Sequence, residues 1–186
     1  MGNPLNVRLN PGILYAATVG ADEPTDLATP WPMAWAEIGY TDEGSTFAFS
    51  NTFEDVFVAE ELDPILTLQT ERRVEVSFAS AEITAANLQR ALNGGTITTP
   101  AGLIVFEPPA VGDYTHIALG WESDDGLERW IFRKCLQVGS ASMARQKAPN
   151  KATLAMTFRA LKPDPDEHDV VAPVFKFIQD ADYVAA

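Results

Sequence analysis

The sequence predicts a mainly β protein: one domain of antiparallel strands that carries a single α-helix. Three observations lead there. Apolar and polar residues alternate through most of the chain, glycine and proline clusters punctuate the alternating runs, and a clean helical spacing of apolar residues occurs at 84–93. With 186 residues, 46% of them hydrophobic, the chain suffices for one core and is short for two. We read 1–186 as one domain, with an N-terminal strand and proline-rich arm to about 35 and a C-terminal linker and arm from about 162 to 186.

The elements follow in order. "GILYAATVG" (12–20) has the β-branched and aromatic content of a strand. In 21–35, Pro24, Pro30 and Pro32 forbid regular pairing, and Trp31 and Trp35 anchor this arm either on a partner or on their own domain. Phe47 and Phe49 share a face of the next run, Val56 and Val58 share a face further on, and Leu66 and Leu68 alternate with Thr67 and Gln69. Val74, Val76 and Phe78 then alternate with Arg73, Glu75 and Ser77. "AEELDP" sets three acids and a proline at a chain reversal, so 59–64 is expected to project as a loop.

The helix has both ends written in it. Thr84 suits the N-cap, Ile83 and Leu88 a hydrophobic staple, and Gly94 a left-handed stop. Leu88, Ala91 and Leu92 form a narrow apolar stripe opposite Asn87 and Arg90, so Leu88 and Leu92 are expected to pack the helix on a sheet. After it come a strand ended by Pro108 and Pro109, then two strands joined at Asp125-Gly126. On the second, Trp130, Phe132, Leu136 and Val138 are expected on one face, with Arg129, Arg133 and Gln137 on the other. A basic reversal, "SASMARQKAPNK", precedes a last long strand in which Leu154, Met156 and Phe158 alternate with Thr153, Thr157 and Arg159. "VFKFIQ" closes the chain beyond an acidic linker.

Chemistry is sparse. There is no glycine-rich phosphate loop, nucleophile elbow, HExxH or paired-cysteine motif, so no catalytic, cofactor-binding or metal residue is expected. Adjacent acids such as Glu54 and Asp55 point to opposite faces of a strand and do not converge on one substrate bond. His168 lies among Asp164, Asp166, Glu167 and Asp169, a setting better explained as a solvated linker than as a calcium loop, because no glycine permits the sharp turn. The lone Cys135 excludes an internal disulfide and is read as a small apolar filler. No apolar run approaches the ~18 residues of a membrane span, and "MGNPLNVRLNPG" has neither signal-peptide order nor a myristoylation pattern, so a soluble protein is expected.

Charge is uneven. The net charge is −13, and residues 1–71 hold twelve acids against the single base Arg8, whereas the rest carries fourteen acids and twelve bases. Such a balance argues against a protein that grips phosphate backbones.

Four segments together, "IGYTDEGSTFAFS" (38–50), "EDVFVAEELDPI" (54–65), "ERRVEVSFASAEITAANLQRALNGG" (71–95) and "ATLAMTFRAL" (152–161), resemble the major tail tube proteins of long non-contractile-tailed bacteriophages. The similarity is greatest to those of actinobacterial phages. It implies a β-sandwich or partly open barrel with one flanking helix, a structural protein of the virion, and no enzyme activity. It also implies hexameric rings that stack into a hollow tube, through which double-stranded DNA passes on ejection without sequence-specific binding. Tape measure, tail terminator and distal tail proteins are the implied partners besides the chain itself, and no membrane is involved.

Within that resemblance two sets of residues gain expected roles. The acids Glu60, Glu61 and Asp63 and the bases Arg145, Lys147 and Lys151 are opposite in sign and are expected to meet across stacked rings. The polar strand faces would offer Thr67, Gln69, Arg73, Glu75, Ser77, Arg133, Thr157 and Arg159 to the channel, the arginines needing acids beside them if DNA is to slide. From the residues alone a different reading stays open: a β-barrel carrier of small apolar ligands, its cavity lined by Trp130, Phe132 and Phe158. A carboxylate-using hydrolase is a third.

Overall fold

The computed structural model describes residues 11–145, 147, 150–165 and 171–180; His168 and the acids around it fall outside them, except Asp164. The strands are β1 (Gly12–Thr18), β2 (Ala36–Glu37), β3 (Thr41–Val56), β4 (Leu66–Ser80), β5 (Thr96–Thr98), β6 (Val105–Glu107), β7 (Ile117–Ser123), β8 (Glu128–Gln137), β9 (Ser142–Ala144), β10 (Thr153–Ala160) and β11 (Phe175–Gln179). The helix α1 (Ala85–Ala91) follows β4 directly. The main sheet is antiparallel, ordered β2-β1-β7-β8-β10-β4-β3, and is not closed into a barrel. β10 and β11 share one edge of β8, β9 adds to β10, and β5 pairs with β6 apart from the main sheet. The sheet folds over itself as a sandwich, with Phe47 of β3 against Trp121, Trp130 and Phe132 of β7 and β8.

Alternation explains which residues are inside. Val74, Val76 and Phe78 of β4 and Leu154, Met156 and Phe158 of β10 are buried in one cluster with Leu14, Leu119, Phe132 and Cys135. Burial pushes the Cys135 thiol up to about 12, which suits an inert filler rather than a nucleophile. Phe132 and Phe158 are 1% exposed, and Trp130 packs on Phe177 at 4.4 Å, so side chains fill the space a carrier would keep open for ligand.

Two bulges rearrange the faces expected from alternation. In β8 the pairing with β7 slips between Ile117 and Leu119, so Phe132 and Cys135 both point into the core. Gln137 is consequently buried and Val138 is exposed, the reverse of the expected order. In the β3–β4 pair the register steps from Thr52 opposite Glu71 to Phe53 opposite Gln69, which leaves Thr70 as the extra residue. One extra residue inverts every later side chain. Thr67 and Gln69 therefore lie on the side of Asp55 and Asn51, Thr67 donating to Asp55 at 2.6 Å and Gln69 to Asn51 at 2.7 Å, and not with Arg73, Glu75 and Ser77.

The arm docks on its own domain. Trp31 stacks on Tyr15 at 4.5 Å and its indole N–H donates to Glu122, while Trp35 is buried and donates to the carbonyl of Asp22 at 2.7 Å. Gly120 makes room for both rings, since a Cβ there would stand 2.4 Å from Trp31. The buried Arg129 donates to the carbonyls of Asp26 and Thr29, both at 2.7 Å, and pairs with Glu122. Within the arm, hydrogen bonds from Thr29, the backbone one first, hold the Asp26 carboxyl below the usual carboxylate range.

α1 begins where the sequence indicates, the Thr84 hydroxyl accepting from the Asn87 backbone N–H at 3.1 Å. Its buried positions differ from the stripe. Asn87 and Ala91 are buried, Leu88 packs half-buried against the core, and Leu92 is 41% exposed. Asn87 faces inward because its amide satisfies the Ile38 carbonyl at 2.9 Å and the Glu82 carbonyl at 2.8 Å. The chain leaves the helix through two residues of positive φ, Asn93 (φ 56) and the expected Gly94 (φ 138), so the stop begins one position before the glycine.

Candidate assembly surface

Beyond Phe49 the β3–β4 hairpin leaves the body of the protein. Every residue from Ala48 to Arg72 is exposed, whereas the body half of β4 alternates buried and half-buried. A two-stranded ribbon on its own is marginal in water. This one also exposes Phe53, Val56, Phe57, Leu62, Ile65, Leu66 and Leu68, with Leu62 99% accessible. The bulge puts Phe53 on one face and Val56, Leu66 and Leu68 on the other, so both faces are apolar in part. Contiguous exposed apolar surface of this kind marks a contact site. A second such area, Ile97, Leu103, Ile104, Val111 and Tyr114, lies on and around the β5–β6 excursion.

The acids expected at the reversal sit at the tip. Glu60, Glu61 and Asp63 lie in the turn between β3 and β4, exposed, and take part in none of the ion pairs among the described residues. The bases lie at the other end. β4 runs from the tip to Ser80, which pairs with Leu154 at the start of β10, and Ala144 pairs with Thr153 beside it, so Arg145 and Lys151 stand at the end remote from the tip. At strand rise the fifteen residues of β4 put about 45 Å between the two. Arg145, Lys147 and Lys151 are all exposed, and Lys151 pairs with Asp42 at the same end.

The remaining expected residues divide into three settings. Glu75, Ser77, Thr157 and Arg159 share one face of β4 and β10, where Arg159 donates twice to Glu75 at 2.9 and 3.0 Å and Ser77 meets Thr157 at 3.1 Å. Arg73 pairs with Glu71, and this hydrogen bond, with the charge behind it, raises the guanidinium above its ordinary pKa. Arg133 is covered by the arm, held by both oxygens of Glu23 and donating to the Pro173 carbonyl at 2.6 Å. All three arginines thus find acids within their own chain. Arg73 and Glu71 are neighbours two positions apart, but the Arg159–Glu75 and Arg133–Glu23 pairings span 84 and 110 positions and have no local signal, which is why reading the chain alone could only pose the question.

Among the described residues no group of His, Cys, Asp and Glu is placed to hold a metal ion, and no helix is long and apolar enough to cross a membrane. In comparisons with known proteins, no protein of curated function matches the chain. Among solved structures, one similar chain is part of the anti-feeding prophage baseplate, determined by cryo-EM with six-fold symmetrisation. It shares 8% identity at a TM-score of 0.45, over 96% of this chain and 98% of that one. The model of a protein family described as phage tail tube protein matches residues 5–185. The chain belongs to the phage tail tube protein family, and is a structural component of a phage tail.

Proposed function

We propose that this chain is the non-enzymatic repeating subunit of the tail tube of a long non-contractile-tailed phage, assembled in the host cytoplasm into hexameric rings that stack head to tail. The observation that carries the reading is the placement of opposite charges at opposite ends: three exposed acids on an apolar ribbon, and the basic reversal about 45 Å away. Self-complementary contacts would close a dimer, whereas surfaces that differ at the two ends propagate along an axis. The long β3 forms one edge of the sheet, and pairing with a neighbouring copy would cover it, as joining the sheets of a ring into one barrel requires.

The Glu75, Ser77, Thr157 and Arg159 face is the side we assign to the channel. Its arginine is neutralised by Glu75, so passing phosphates meet no free cation there and DNA slides. Thr67 and Gln69 belong to the opposite side of the ribbon, and Arg133 to the docked arm. Reversing Lys147 and Lys151 to glutamate tests the stacking. Shorter tubes with an altered response to salt are expected, and tubes of unchanged length and salt sensitivity would contradict the pairing.

A further inference from the structure

We propose that the hairpin tip of one copy seats in the recess at the C-terminal end of α1 of the next, with Leu62 against its apolar floor and Glu61 against the guanidinium of Arg90. The inference rests on head-to-tail stacking and adds the receptor. The recess holds about 300 Å³ and is floored by Ala16, Ala17 and Ile117, with Arg90, Thr115 and His116 among its polar lining.

Arg90 is the reason to expect an acid there. Its guanidinium donates to Asn87 Oδ1 at 2.6 Å, a neutral acceptor, and no carboxylate of the described residues lies within ion-pair distance. Half-buried, it is held below the ordinary guanidinium pKa by desolvation, with no acid to offset the effect. A desolvated cation short of a counter-ion gains more from an arriving carboxylate than a solvated lysine does.

The tip has the complementary chemistry. Leu62 is 99% exposed between acids that make no ion pair among the described residues. The occupant must be another copy, because α1 starts five residues after β4 ends while the tip stands about 45 Å back along β4. The exposed bases of the 145–151 reversal then guide approach from a distance, and the recess holds what arrives.

Cysteine pairs separate the two contacts. Full-length Leu62→Cys/Thr115→Cys protein, assembled and then oxidised, is expected to give a ladder of covalent oligomers on a non-reducing gel; the native Cys135 is buried and adds no background. Tubes in which Leu62→Cys links to Lys147→Cys and not to Thr115→Cys would overturn the recess and leave head-to-tail stacking intact. Tubes with neither ladder overturn the recess as well, and protein that never assembles defeats the stacking and the recess together. Arg90→Gln should raise the concentration needed for tube growth about tenfold or more while leaving the monomer folded; growth at the unaltered concentration contradicts the proposal.

Discussion

The side-chain amide of Asn93 serves the backbone of Gln137 as a neighbouring strand would: its Nδ2 donates to the Gln137 carbonyl at 2.8 Å, and its Oδ1 accepts from the Gln137 N–H at 2.8 Å. The same residue turns the chain out of α1 in the left-handed region. One asparagine thus ends the helix and ties it to the end of β8, which fixes α1 over the core.

Replacing Asn93 separates these two roles. Asn93→Gly keeps the left-handed turn and loses only the pair of hydrogen bonds, while Asn93→Ala loses both. We expect Asn93→Ala to cost about 3 kcal/mol, roughly 1 kcal/mol more than Asn93→Gly. Urea unfolding of the two variants measures the difference; equal midpoints would show that backbone conformation matters little there.

Leu88 and Leu92 lie on one side of α1 but differ in surroundings. Leu88 packs against the core and Leu92 is 41% exposed. Leu88→Asp buries a carboxylate without a partner and should destabilise the fold by about 3 kcal/mol or more. Leu92→Asp should stay within about 0.5 kcal/mol of the parent in thermal unfolding. A Leu92 effect as large as that of Leu88 would mean that the stripe read from spacing is buried as a whole.

The distal ribbon should matter for assembly and not for folding. Val56, Leu66 and Leu68 share an exposed face and contribute little to the core of an isolated subunit. Serine at all three positions should leave the unfolding midpoint of monomer unchanged and abolish tube growth. The opposite pattern, unstable monomers that still polymerise, would return the ribbon to a structural role.

Much of this architecture was legible because alternation survives wherever one strand face is buried. Val74, Val76, Phe78, Leu154, Met156 and Phe158 are where their spacing puts them. Thr84 caps α1 as a threonine before a staple should. The failures share a cause. A bulge adds a single residue without any composition of its own, so nothing in "LTLQTERRV" marks Thr70 as extra, yet everything between it and the tip changes face. Asn87 is buried because acceptors on Ser80, Glu82 and the remote Ile38, 49 positions away, converge on it, and such convergence exists only in the folded chain. The docked arm follows the same logic. Its tryptophans were readable as anchors, but their receptor, the space above Gly120, was not.

The central claim is that this chain builds a tube from identical copies. Electron microscopy of the purified protein over a range of concentrations tests it most directly. The account predicts rings or hollow filaments of stacked rings; a species that stays strictly monomeric at high concentration would contradict it.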